Sequence, residues 1–371
     1  LPTSQMREGN IPVVGSNGIV GYHDTSKCIV PTITIGRSGS AGKIHMYESP
    51  TWVHNTALYI TDFKGNSPKY LYYLLQLLHL ESLCGSSVIP SLNRNVVYPM
   101  TINFHESRVE QDAISDLLSK IDSKIALNRE INRNLEAMSR QLYDYWFVQF
   151  DFPDENGKPY KSSGGKMVWN DELRREVPQK WTAKSLVDIA VFTNGLACQK
   201  FRPMNEADKL PVVKIREMRD GFSSDTEFVK SDIPESVKVF NGDVLFSWSA
   251  SLEILLWAYG NGGLNQHIFK VTSKNNYPRS FYYFEILRYI DVFKRIAESR
   301  KTTMGHITQD HLAQSRIAVP QDLRVLQSFD NQMKPIMDSL VKSQEQICSL
   351  QRQRDELLPL LMNGQVSVMP T

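Results

Sequence analysis

The stretch of the 371-residue chain that most resembles reactive machinery is Gly36-Arg37-Ser38-Gly39-Ser40-Ala41-Gly42-Lys43-Ile44, where glycines, hydroxyls and a lysine crowd together as in a loop that cradles phosphate. The phosphate-loop pattern G-x-x-x-x-G-K-[ST] needs glycine before the spacer and Ser or Thr after the lysine, because the turn must close around the phosphates and a hydroxyl must reach the metal. Arg37 and Ile44 stand at those two places. What remains is a β-hairpin turn, either plain or presenting Arg37 and Lys43 to phosphates. The eight histidines, among them His54, His267, His306 and His311, show no H-E-x-x-H or comparable ligand spacing, so His306 and His311 read as structural or surface residues. Cys28, Cys84, Cys198 and Cys348 are widely separated and form no C-x-x-C pair. That spacing points to reduced thiols rather than a zinc site or a disulfide framework. No Asn-Pro-Pro-Tyr methyltransferase motif and no glycine-rich S-adenosylmethionine loop occurs. The expectation is a chain without catalysis, metal or cofactor of its own.

Composition is that of a folded soluble protein, 41% hydrophobic and 22% charged, with room for two domains. No apolar run approaches the roughly 18 residues that span a bilayer. The start, Leu1-Pro2-Thr3-Ser4-Gln5, lacks the basic and apolar regions of a signal peptide. Net charge is only +2, but it is unevenly placed: residues 1–105 carry 7 Lys/Arg against 5 Asp/Glu, and residues 174–320 carry 21 against 16. The remaining segments are acidic. An excess of cations on the stretches that read as globular is compatible with an anionic partner.

An internal repeat organises the chain. Ile11-Pro12-Val13-Val14 recurs as Leu210-Pro211-Val212-Val213, and Ile33-Thr34-Ile35-Gly36-Arg37-Ser38 as Val244-Leu245-Phe246-Ser247-Trp248-Ser249. Asn55 matches Asn265, and Tyr70-Leu71-Tyr72-Tyr73-Leu74-Leu75 matches Phe281-Tyr282-Tyr283-Phe284-Glu285-Ile286-Leu287. Arg108-Val109-Glu110-Gln111 then matches Arg324-Val325-Leu326-Gln327. Short Val/Ile-rich runs broken by Gly, Asn and Pro predict strands in each copy. Each copy closes on a long helix with a heptad seam. The first seam reads Ile114, Leu117, Ile121, Ile131, Leu135, Met138, Leu142 and Tyr145, interrupted by Lys124 and Asn128. The second reads Phe329, Met333, Ile336, Leu340, Ile347, Leu350, Leu357 and Leu361, interrupted by Ser343 and Arg354. Neither helix can bury its stripe alone, so the two are expected to pair as an antiparallel coiled coil. Residues 106–147 would make a rod of about 60 Å at 1.5 Å per residue. The second helix is expected to stop near Met362-Asn363-Gly364, where glycine supplies a C-terminal cap.

These features resemble the specificity subunit of Type I restriction–modification systems. The likeness is carried by Tyr145-Trp146-Phe147-Val148-Gln149-Phe150-Asp151-Phe152, by Pro178-Gln179-Lys180-Trp181 with Leu186, Asp188 and Ile189, and by Gly242-Asp243-Val244-Leu245-Phe246-Ser247-Trp248-Ser249. Asn265-Gln266-His267-Ile268-Phe269-Lys270-Val271 and Thr302-Thr303-Met304-Gly305-His306-Ile307 complete it. The resemblance implies an α+β chain of two mixed α/β target-recognition domains separated by the helix pair. Residues 1–105 would be the first recognition domain and 106–150 the first spacer helix. Residues 151–177 would be a linker, 178–320 the second domain and 321–365 the second helix. The second copy has more residues before Leu210 than the first has before Ile11, so the sequence is expected to begin inside the first domain, without the family's usual opening strand.

The resemblance further implies a non-catalytic, cytoplasmic prokaryotic protein that binds double-stranded DNA at a bipartite, asymmetric site. It would recruit two modification subunits and two restriction subunits, which hold the S-adenosylmethionine, ATP and magnesium. The DNA contacts are expected in the turns of each copy. Arg37, Ser38, Ser40, Lys43, Asn93 and Arg94 are the candidates in the first, and Lys214, Arg216, Arg219, Ser249, Arg300, Lys301 and Thr302 in the second. Arginine can grip guanine through two bonds and asparagine can grip adenine, while lysine mainly finds phosphate. Each of these residues can equally be a solvated side chain, and Lys214, Arg216 and Arg219 on a strand-like run can form a solvated face. Trp248 and Trp257 read as core. Two rivals remain: a coiled-coil scaffold with protein-binding globular ends, and an enzyme whose motifs are no longer visible.

Overall fold

In each globular part, a short parallel strand pair sits beside an antiparallel sheet, and a helix from the same unit covers the apolar side. The structure, a computed structural model, describes residues 1, 3–84, 90–249, 251–299 and 306–368. It divides into two units, residues 1–125 with 349–371, and residues 126–348.

The first unit contains β1 (Ile11–Gly15), β2 (Gly18–His23), β3 (Thr32–Gly36), β4 (Ile44–Tyr47), β5 (Trp52–Val53), β6 (Ala57–Tyr59), α1 (Pro68–Leu77) and α2 (Arg94–Val97), and it takes in the start of α3 (Arg108–Tyr143). Ser16-Asn17 closes the β1–β2 hairpin, and Gly18, the first residue of β2, takes a φ of 106° that favours glycine. β1 also pairs in parallel with β5, so that one sheet runs β2-β1-β5; the other runs β4-β3-β6, antiparallel throughout. Pro68 opens α1, a position where its missing N–H costs nothing. Tyr70, Tyr73 and Leu74, spaced three and four apart, bury one face of α1 against Ile114 and Leu118 of α3 and against Leu358 and Leu361. The buried Gln111 pins this packing: its Oε1 accepts from the Ser67 N–H at 2.8 Å, and its Nε2 donates to the His105 carbonyl at 2.7 Å.

The second unit contains β7 (Met167–Asn170), β8 (Arg175–Pro178), β9 (Trp181–Lys184), α4 (Leu186–Ile189), β10 (Ala190–Asn194), β11 (Leu210–Val213), α5 (Ile215–Asp220), β12 (Phe228–Val229) and β13 (Lys238–Val239). It continues through β14 (Val244–Ser247), β15 (Glu253–Leu256), β16 (Gly262–Leu264), β17 (Ile268–Ser273), α6 (Arg279–Ser299), α7 (Gln309–Gln314) and β18 (Ile317–Pro320) into α8 (Arg324–Met362). Its sheets run β12-β11-β16-β13, with β11 parallel to β16, and β10-β17-β14-β15, with β14 antiparallel to both neighbours. Within the stretch expected to be a linker, residues 167–177 belong to the β7–β8 hairpin. The run Tyr143, Trp146, Phe147, Phe150 and Phe152 sinks into one aromatic core with Trp181, Phe281, Phe284 and Phe329. To deliver those rings the end of α3 widens into a π-turn over Asp144–Val148, and Phe150 takes a left-handed φ of 63°.

Both long helices contribute to both units, and in each unit their segments run antiparallel. In the first, Arg354 Nη1 donates to Asp122 Oδ1 at 2.9 Å, and the Tyr73 hydroxyl donates to the other oxygen at 2.6 Å. In the second, Ser343 lies at the Asn128 carbonyl and Phe329 against Tyr143. The seam of α8 uses the expected positions, Ser343 and Arg354 included. The seam of α3 does so only in part, through Ile114, Leu117, Ile121, Asn128, Leu135 and Leu142. Beyond Ile125 it continues through Asn128, Asn132, Leu135, Ser139 and Leu142, while Ile131, Met138 and Tyr145 are exposed. Period alone selects the neighbouring apolar stripe, because three of these five seam positions are polar.

Candidate nucleic-acid interface

The turns that carry the predicted contact residues are held by the same backbone bonds in both units. In the first, the Arg37 N–H donates to the Thr56 carbonyl at 2.8 Å, the Leu92 N–H donates to the Arg37 carbonyl at 2.9 Å, and Ser38 bridges Ser91. In the second, the Trp248 N–H donates to the His267 carbonyl at 3.3 Å, the Ile307 N–H donates to the Trp248 carbonyl at 2.9 Å, and Ser249 bridges His306. The His54 N–H meets the Val14 carbonyl as the Asn265 N–H meets that of Val213. His54 rather than Asn55 is therefore the counterpart of Asn265. The helices show the same one-residue correction: the buried Gln111, Ile114 and Leu118 correspond to Leu326, Phe329 and Met333.

In the first unit the turn between β3 and β4 closes through Gly36 N–H to the Lys43 carbonyl and Gly42 N–H to the Gly36 carbonyl, both 2.8 Å. Gly42 has a φ of 84°, and a Cβ there would sit 2.3 Å from the Glu81 nitrogen, so only glycine fits. The β1–β2 tip comes over this turn: Asn17 Oδ1 accepts from Ser40 Oγ at 3.1 Å and Lys43 Nζ at 3.4 Å. Arg37, Ser91, Asn93 and Arg94 line an open cleft with Leu58 and Leu92. Asn93 caps α2, its Oδ1 accepting from the Asn95 N–H at 3.0 Å. Arg37 and Arg94 are exposed and form no ion pair among the described residues.

In the second unit the basic candidates sit on α5 and at its start, a helix where the sequence suggests a strand-like run. Each is already engaged. Lys214 Nζ pairs with Glu227, Arg216 donates Nε and Nη2 to Glu217 at 3.0 and 2.7 Å, and Arg219 Nε donates to both oxygens of Glu253 at 2.9 and 2.8 Å. These contacts raise the pKa of the Arg216 and Arg219 guanidinium groups and lower that of the Glu227 carboxyl. Ser249 is buried. Arg300, Lys301 and Thr302 lie outside the described residues, as do Thr303, Met304 and Gly305.

A cleft lined by Gln199, Lys214, Arg216, Glu227, Gln266 and His267 opens beside these pairs. Trp248, half-buried rather than core, donates Nε1 to Asn194 Oδ1 at 3.1 Å and packs between His267 and His306 at ring distances of 5.5 and 5.4 Å. Trp257 is core, as expected. Asn17, Asn194, Gln199 and Gln266 are not among the residues that sequence reasoning singles out as contacts. Asn17 is signalled by its Asn-Gly turn and Gln266 by its place in a family motif.

Among the described residues no group of three His, Cys, Asp or Glu is arranged to hold a metal ion, and no helix is long and apolar enough to cross a membrane. The carboxyl of Glu285 on α6 is pushed up to about 7 by desolvation, against the pull of Tyr143, Arg288 and Arg175. It lies beneath the aromatic core, not in a cleft.

The sequence matches the profile of the Type I restriction modification DNA specificity domain over residues 4–137 and 178–343. It is 26% identical over 352 residues to the Type I restriction enzyme MjaIX specificity subunit of Methanocaldococcus jannaschii, covering 91% of this chain and 78% of that one. The HindI specificity subunit of Haemophilus influenzae is 20% identical over 358 residues, covering 81% of this chain and 77% of that relative. Among solved structures, the S subunit of a Type I restriction-modification system from M. genitalium matches with a TM-score of 0.64 at 15% identity, over 98% of this chain and 91% of that one, a likeness of fold.

Proposed function

Because the chain belongs to the family of Type I restriction modification DNA specificity domains, we propose that its two units read the two half-sites of one asymmetric DNA sequence, with the paired helices as the spacer between the blocks. The chain is the DNA-recognition component of such a system and not its catalyst. The observation that carries the bipartite reading is the repeated turn architecture. One set of backbone bonds recurs in both units, and it presents different side chains in each. Two weak readers on one spacer act as a bivalent contact that responds to a defined separation. Phosphate contacts would set register and base edges would set sequence.

Recruitment of modification subunits, and through them restriction subunits, is supported by the outer face of α3. Leu127, Ile131, Met138 and Tyr145 are 58, 41, 46 and 38% exposed at helical spacing, a stripe suited to a partner helix. On this reading S-adenosylmethionine, ATP and magnesium are held by the partners, and the assembly works in the prokaryotic cytoplasm.

The test is selection from a randomised duplex pool by the full chain together with its modification subunits. Two short blocks at a constant gap are expected. Absence of any enriched bipartite sequence would overturn the proposal and favour a protein-binding scaffold. Methylation or cleavage by the chain alone would favour the enzyme reading. Removing one heptad from α3 should alter the gap and leave both blocks unchanged.

A further inference from the structure

The two clefts differ in which hydrogen-bonding groups remain available. In the first unit Arg37 and Arg94 share one cleft, are exposed, and have no carboxylate partner among the described residues. Their guanidinium edges are open. In the second unit the edge of Arg216 formed by Nε and Nη2 is taken up by Glu217, and the same edge of Arg219 by Glu253. That edge is one a guanidinium offers to a planar two-acceptor partner such as the N7 and O6 of guanine. Withdrawing Arg216 would strand the Glu217 carboxylate, which is 1% exposed. Leaving a buried charge without its partner is strongly unfavourable.

The amides remain. Gln199 and Gln266 both line the second cleft, and the Gln199 side chain makes no hydrogen bond among the described residues. The Gln266 side chain has only a long 3.4 Å contact with His267. A carboxamide carries a donor and an acceptor side by side, matching the N6 and N7 of adenine. Lys214 and Arg216 also line this cleft, but each is paired with a carboxylate, Glu227 and Glu217, so it offers phosphate no unpaired cation among the described residues and the groove edge of a base is the better occupant.

We propose that the first unit reads guanine through Arg37 and Arg94, and that the second reads adenine through Gln199 and Gln266 because carboxylates of its own chain engage Arg216 and Arg219. The inference rests on the DNA-reading function proposed above and assigns base classes to its two halves. It also makes the inequality of the half-sites a consequence of intrachain ion pairing.

The experiment repeats the duplex selection with the full chain and its modification subunits, using Arg37→Lys, Arg94→Lys, Gln199→Ala and Gln266→Ala. The lysine variants keep the charge and lose the fork. They should keep overall affinity and lose preference for a G·C pair in one block by about tenfold, leaving the other block intact. The glutamine variants should relax an A·T pair in the other block by a similar factor. All four are surface changes, and unchanged unfolding temperatures would confirm intact folds. Blocks that keep their bases in every variant would overturn the assignment while leaving the bipartite function standing. A second block that prefers C·G, and loses that preference in Glu227→Gln, would overturn it in favour of a carboxylate reading cytosine. A wild-type protein that selects no bipartite sequence would remove the underlying function itself.

Discussion

The two units share a backbone and differ in what fills the space beside it. At corresponding places on β3 and β14 stand Thr34 and Leu245, and the residues paired with them across the next strand are His45 and Leu255. One step further along, Tyr47 takes the place of Trp257. In the second unit Leu245 and Trp257 are buried in an apolar cluster with Val212, Val213 and Ile268. In the first, Thr34 Oγ1, His45 Nε2 and the Tyr47 hydroxyl are buried without reaching hydrogen-bond geometry, although Thr34 and Tyr47 approach one another. Strand pairing thus reproduces the same turns whether the adjoining interior is oily or polar, because ladder bonds and register do not depend on what the side chains bury. The recognition turns are set by backbone pairing, and the stability of each unit is set separately.

The largest test of this contrast is Trp257→Ala, expected to lower the stability of the second unit by about 3–5 kcal/mol, as removal of a buried aromatic does. Tyr47→Ala should cost the first unit clearly less. Hydrogen exchange measured peptide by peptide on the full chain separates the units, and equal losses would break the contrast. Next is Leu245→Thr, which imports the polar interior into the second unit and should cost about 3 kcal/mol, combining lost burial with an unpaired hydroxyl. A loss confined to a few tenths would show that the apolar cluster is not what distinguishes the units. The reverse exchange, Thr34→Val, should raise the stability of the first unit by about 1 kcal/mol, since it removes a buried hydroxyl that has no partner. A loss on that substitution would mean that the hydroxyl is satisfied in solution.

The smallest expected effect is on pH. Burial, helped by Lys43, holds the His45 pKa below the usual 6.5. Its unfolded form therefore takes up a proton first as pH falls below 6.5, and the first unit loses stability on the acid side. Glu285 behaves oppositely: its folded carboxyl titrates near 7 against an ordinary 4.5. Its contribution is complete below 4.5 and is lost as pH rises toward 7. Exchange protection should therefore shift toward the second unit at about pH 5.5 and toward the first at about pH 8. His45→Leu and Glu285→Gln should each abolish one half of that shift, and a shift unaffected by both would remove these two groups as its cause.

Much of the fold is legible in the amino-acid sequence. Ile11-Pro12-Val13-Val14 and Leu210-Pro211-Val212-Val213 announce the duplication, and both open the expected strands. The α8 seam can be read because apolar residues hold most of its positions. The α3 seam can be read only in part, since Asn132 and Ser139 lie in it and Ile131 and Met138 lie outside. The turns that carry the candidate residues are legible in the sequence, and the contacts of their side chains are legible only in part. Ser38 and Ser40 stand in the turn that follows β3, and Asn93 and Arg94 at the start of α2, yet Asn17 reaches Lys43 only because the β1–β2 tip comes over that turn.

What the sequence determined by itself was the architecture and the family: a duplicated unit, strands and helices in order, no catalytic or metal-binding pattern, and motifs specific enough to place the chain among DNA specificity domains. Those properties are local, carried by periodicity, turn chemistry and short motifs. Which cations remain available to a ligand was decided only by the tertiary structure. Arg219 meets a carboxylate 34 positions away, and Lys214 meets one 13 away on the far side of a turn. A charge in a sequence is a potential contact. Whether it faces DNA or a neighbouring carboxylate depends on the distance between side chains that the fold alone brings together.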